Sequence, residues 1–108
     1  MSLFEENRRV LENLAENGID LSIIRPVDFS CIFPNQSAAE SFARAAEKEG
    51  FSTTINVTEN EDNPWVVTAS RAMTPTCENI TSAELRLASF ANSHAGSSDG
   101  WGFFKADR

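Results

Sequence analysis

The chain has 108 residues, 41% of them hydrophobic, and sixteen acids against nine bases give it a net charge of −7. A chain of that size means one domain over residues 1–108, burying roughly two thirds of its unfolded surface and folding without staples. Its acidity disfavours direct nucleic-acid binding and anionic membranes, because phosphates need a basic face; basic protein surfaces are the partners it fits.

Ser2-Leu3-Phe4-Glu5 reads as a capping box, with Ser2 as N-cap and Glu5 reaching back. Leu3, Val10, Leu11 and Leu14 follow at helical spacing, and Gly18 stops the run. A first helix over about 3–17 is predicted, and Val10, Leu11 and Leu14 must be buried on the free face of a sheet or beside its edge. Glu5 and Arg9 form a favourable i,i+4 pair, worth a few tenths of a kcal/mol. Residues 19–25 read as an extended connector, because Pro26 holds its predecessor out of helix.

Val27, Phe29, Cys31 and Phe33 alternate with Asp28, Ser30 and Ile32. This period of two predicts a strand with one face on the core and a more polar opposite face. Ser37-Ala38-Ala39-Glu40 reads as a second capping box. The helix behind it carries Ala39, Phe42, Ala43 and Ala46 on one face and closes at Gly50. Phe51, Thr53, Ile55 and Val57 alternate as a second strand, and Trp65 to Arg71 form a third. The polar stretch between them, Thr58 to Pro64, predicts a β-hairpin. Thr74-Pro75 then reads as N-cap and first position of a third helix. Its stripe is Ile80, Ala83, Leu87, Phe90, Ala91 and His94, and Gly96 ends it.

The last strand holds Ser98-Asp99-Gly100-Trp101-Gly102, then Phe103-Phe104. Glycine inside a strand marks a bulge or a close approach. Trp101 is expected to plug the core while the glycines make room for it. The alternative is a half-exposed ring in a glycine-lined recess that grips a partner. The last six elements give an α+β domain with a ferredoxin-like βαββαβ antiparallel sheet over residues 26–105 and helices on one face. The helix over 1–17 is an addition to it.

No catalytic set assembles on paper. His94 is the sole histidine, too little for a hydrolytic triad or a two-His metal site, and near a helix C-terminus it reads as a capping or packing residue. Cys31 and Cys77 lack Cys-x-x-Cys spacing and fit reduced cytosolic thiols. Gly100-Trp101-Gly102 lacks the third glycine of a dinucleotide fingerprint. Glu59, Glu61 and Asp62 lack the glycine and the terminal Glu of a calcium loop. No catalytic, metal or cofactor site is therefore expected. The RNA-reading sheets found in this fold class need surface aromatics with basic residues, and here the Phe positions track the core. Three Asn-x-Ser/Thr matches, at Asn35, Asn56 and Asn79, are read as chance. No apolar run spans a bilayer and the N-terminus is not signal-like, so the cytoplasm is the expected compartment.

The Asp99-Gly100-Trp101-Gly102 ending, preceded by a long helix and a small turn, resembles the C-terminal signature of the RraB family, regulators of ribonuclease E activity. Gly18-Ile19-Asp20-Leu21, Arg25-Pro26-Val27, Glu49-Gly50-Phe51 and Ala69-Ser70-Arg71-Ala72-Met73 are similar too. The resemblance covers nearly the whole chain. It implies a ferredoxin-like core with an extra N-terminal helix, and a non-catalytic protein that binds a ribonuclease E-type endoribonuclease and inhibits RNA cleavage. Two features depart from the family's pattern. Ser98 stands where studied members have Tyr, and Lys105-Ala106-Asp107-Arg108 stand where some carry a long acidic tail. The candidate protein-binding residues are Asp99, Gly100, Trp101 and Gly102, the loop acids Glu59, Glu61 and Asp62, and the helix acids Glu5, Glu12 and Glu16. The competing reading is a small-molecule-sensing ferredoxin-like domain, with ligand held between sheet and helix or at a dimer seam.

Overall fold

A computed structural model describes residues 1–103; Phe104 and the Lys105–Arg108 tail, including the end of the expected 26–105 core, lie outside the described residues. The elements are α1 (Leu3–Glu16), β1 (Arg25–Phe33), α2 (Gln36–Lys48), β2 (Ser52–Val57), β3 (Trp65–Met73), α3 (Cys77–Ser93) and β4 (Ser97–Phe103). The four strands form one antiparallel sheet in the order β2-β3-β1-β4. The β1 alternation holds: Val27, Phe29, Cys31 and Phe33 are buried, and Asp28, Ser30 and Ile32 are half-exposed. Over the buried face, α2 packs on β2 and β3, and α3 packs on β1 and β4.

The core is built from aromatics meeting small residues. Phe33 and Phe42 stack at 4.9 Å between centroids, and Phe29 meets Phe51 edge-on at 6.2 Å. Ala39, Ala43 and Ala46 bring α2 close to the sheet, as its spacing predicted. Ser2 caps α1 in the predicted box, and Gly18, at φ +90, ends it where a left-handed residue is needed. The β2–β3 hairpin also forms, with Val57 opposite Trp65.

Two helix starts differ from the sequence reading, each by two residues. Asn35, not Ser37, caps α2, its Oδ1 accepting the Ala38 amide at 2.9 Å. Thr76, not Thr74, caps α3, its Oγ1 accepting the Asn79 amide at 3.0 Å. In both places the side-chain oxygen that caps the helix accepts the amide three residues on, the ordinary N-cap geometry. Pro75 stays outside the helix and is fully buried. The burial expected for α1 is also partial: Leu11 is buried and Leu14 half-buried, but Val10 is exposed. α1 lies against α3 on the helical side of the sheet rather than on its open face.

Gly96 is fixed by close approach. A Cβ there would overlap the buried Phe33 ring and the Ile32 carbonyl. The chain leaves α3 through Ala95 at φ 66, with the Gly96 amide donating to Ala91 O at 2.8 Å.

Candidate functional site

The β4 strand carries the expected bulge. Phe29 pairs with Trp101 and Cys31 with Ser98, so β4 spends one more residue than β1 over that interval. Gly100 supplies the bend at φ +99. The glycines do not shape a recess for the indole, however. A Cβ on Gly100 or Gly102 would meet nothing within 4 Å. Gly102 pairs with Asp28 and so belongs to the half-exposed face, while Trp101 and Phe103 pair with the buried Phe29 and Val27.

Trp101 is half-buried rather than a sealed plug. It packs on Phe103 at 5.8 Å between centroids, and its Nε1 donates to Asn7 Oδ1 at 2.9 Å. Asn7 Nδ2 in turn donates to Thr81 Oγ1 at 3.0 Å and Glu84 Oε1 at 3.1 Å. Asn7 is 3% exposed and Glu84 8%. One buried amide thus ties α1, α3 and β4 together with both of its donors and its acceptor in use. The sequence reading missed Asn7, Thr81 and Glu84. The available signal was position: Asn7 sits between Leu3 and Leu11, and Glu84 between Ile80 and Leu87, each on its helix's apolar stripe.

The acids form two exposed groups that the fold keeps apart. Glu59, Glu61 and Asp62 sit on the hairpin that β2, an edge strand, shares with β3. Asn60 shapes that loop, its Oδ1 accepting the Asp62 and Asn63 amides at 3.0 and 2.8 Å. Glu5, Glu12 and Glu16 are exposed on α1, which packs on α3 and is tied to the β4 edge strand through Asn7 and Trp101. Glu5 is already engaged in the capping box, accepting the Ser2 amide at 3.2 Å. Asp99 is exposed at the bulge, on the same edge strand as Trp101. Among the described residues no hydrogen bond or ion pair occupies the carboxylates of Glu12, Glu16, Glu59 or Glu61.

The groups with chemical potential are occupied structurally. Burial pushes the Cys31 thiol up to about 12, with the Asp99 and Glu84 carboxylates adding to the shift. A thiol held neutral is a poor nucleophile. Cys77 Sγ donates to Phe4 O at 3.1 Å. His94 is the C-cap of α3, as its position predicted, and its Nδ1 meets Phe90 O at 2.8 Å. Among the described residues no three His, Cys, Asp or Glu side chains are placed to hold a metal ion, and no helix is long and apolar enough to cross a membrane.

The family model described as "Regulator of ribonuclease activity B" matches residues 4–103. No curated protein matches the chain. With nearly its whole length matched, the chain belongs to the RraB family, a family of ribonuclease regulators.

Proposed function

We propose that this protein is a non-catalytic regulator that binds a ribonuclease E-type endoribonuclease and restrains RNA cleavage. The observation that carries the reading is the family match over residues 4–103. The net charge of −7 and the two exposed acidic groups support a basic surface on the partner. On this reading the hairpin acids Glu59, Glu61 and Asp62 and the helix acids Glu12 and Glu16 steer the encounter. Asp99 and the exposed edge of Trp101 add a polar–aromatic contact at the β4 edge. Gly100 and Gly102 keep that strand bent and bare.

The order β2-β3-β1-β4, with α2 and α3 each crossing over one antiparallel strand, supports reading residues 26–103 as ferredoxin-like. On that reading α1 is an accessory helix of the same single domain, locked by Asn7. Residence in the cytoplasm, where messenger RNA decays, fits the same role.

Steered association depends on salt. Purified ribonuclease E passed over the immobilised protein should bind at low salt and elute as the Debye length shrinks, from ~10 Å at 0.1 M to ~3 Å at 1 M. No retention at low salt would remove the assignment.

A further inference from the structure

Two of the nine basic residues converge on one cavity, on the side of α3 that faces α2 rather than α1. The cavity holds about 290 Å³. Its floor is the buried Phe51, Met73 and Ala83. Its rim carries Arg71 and Arg86. Each guanidinium lies over an aromatic ring: Arg71 over Phe51 at 4.3 Å and Arg86 over Phe90 at 5.2 Å. The attraction of each cation to the ring face helps hold it at the rim.

Glu49, the C-cap of α2, organises both. Its Oε1 accepts Arg86 Nε at 3.0 Å, and its carbonyl accepts Arg71 Nη1 at 3.3 Å. The Arg86 hydrogen bond holds the Glu49 carboxyl below the usual range, so it stays ionised at neutral pH. Both terminal nitrogens of Arg86, and Nη2 of Arg71, take no partner among the described residues. Ser82 and Asn79 complete the lining, and the Asn79 amide nitrogen is spent on Thr74 O at 2.9 Å. Two cations and one carboxylate leave the site with a single excess positive charge, inside a protein whose net charge is −7.

We propose that this cavity binds a small monocarboxylate with a flat or short apolar body. The Arg71 and Arg86 edges take the carboxylate, and the body lies on Phe51, Met73 and Ala83. Guanidinium edges match a carboxylate's geometry, and such charge-assisted bonds are the strong ones. A phosphate carries more charge than the site's excess and meets Glu49. A neutral amide fills the floor but forfeits the charge. The volume sits at the small end of ligand pockets, which favours a small molecule over a macromolecular segment. The site is independent of the ribonuclease reading: it contains none of the hairpin, α1 or β4 candidates.

Sodium benzoate is the probe, titrated into isotope-labelled protein at fixed ionic strength and followed by amide shifts. Saturable shifts at Phe51, Arg71, Ser82 and Ala83 are expected. Arg71→Gln should weaken binding about tenfold or more, the scale of a lost charged hydrogen bond. Arg71 is exposed, so the variant keeps its fold, which circular dichroism checks. Glu49→Gln should tighten binding a few-fold, while Glu59→Gln, an equal charge change outside the cavity, leaves it unchanged. Benzamide and inorganic phosphate should bind more weakly than benzoate. The proposal is overturned if benzoate and benzamide bind alike, if Arg71→Gln changes nothing, if Glu59→Gln matches Glu49→Gln, or if no saturable shift appears.

Discussion

Trp101 Nε1 donates to Asn7 Oδ1 at 2.9 Å across 94 residues of chain, joining the last strand to the first helix. That bond closes the molecule. The accessory helix is held by a buried polar lock as well as by Leu11, whose burial alone is a modest anchor for fourteen residues. Trp101→Phe keeps an aromatic ring in place of the indole and strands the Asn7 oxygen, which should cost about 1–3 kcal/mol for the lost bond alone. Asn7→Ala leaves Trp101, Thr81 and Glu84 without that partner and should cost more. A double-mutant cycle in urea should show coupling of roughly 0.5–3 kcal/mol between positions 7 and 101. Additive effects would mean the bond is not formed in solution.

The glycines of the C-terminal half should rank by mechanism. Gly96→Ala drives a Cβ into Phe33 and Ile32 O, and overpacking of that kind costs about 1–3 kcal/mol or more. Gly100→Ala meets open space but must hold φ +99, at roughly 1–2 kcal/mol. Gly102→Ala meets neither obstacle and should be within about 0.5 kcal/mol of wild type. Thermal melts of the three variants check the order. A large loss at Gly102 would show that something covers that face.

These residues also mark how far the sequence speaks. Alternation along β1 and the small-residue face of α2 are local periodicities, and both formed as read. The bulge was legible because only glycine tolerates φ +99 cheaply. The caps of α2 and α3 slipped by two residues because several hydroxyl and amide side chains compete near each helix start. Asn7 and Glu84 stayed hidden for a different reason. A polar residue on a helix is read as facing water until a partner 74 to 94 residues away is brought to it. The Arg71–Arg86 convergence likewise depends on α3 passing the ends of α2 and β3.

Cys31 gives a pH prediction. Its thiol is raised from 9.0 to about 12 on folding, so the folded state favours the neutral form. The unfolded chain ionises first. Stability from this group is full below pH 9 and is lost as pH rises from 9 toward 12, by up to a few kcal/mol. The chain has no tyrosine, which removes one competing titration from that range, and the Cys31→Ala comparison isolates the thiol's share from the rest. Cys31→Ala should lower stability at neutral pH but flatten the alkaline decline. An unchanged decline in denaturant melts would place the thiol in water.

Reversing the hairpin acids to lysine (Glu59→Lys, Glu61→Lys, Asp62→Lys) should slow association with the ribonuclease and reduce its salt dependence. The melting temperature should barely move, because exposed charges on a loop set encounter rates more than stability. Stopped-flow association against melting curves separates the two. An unchanged association rate would move the contact to α1 and the β4 edge.

The proposed function is restraint of a ribonuclease through binding alone. The deciding measurement is RNA cleavage by purified ribonuclease E, with and without excess of this protein at low salt. Slower cleavage is expected, with recovery of the rate at high salt and unchanged inhibition by the His94→Ala and Cys77→Ala variants. Unchanged cleavage at low salt with the protein folded and in excess would contradict it.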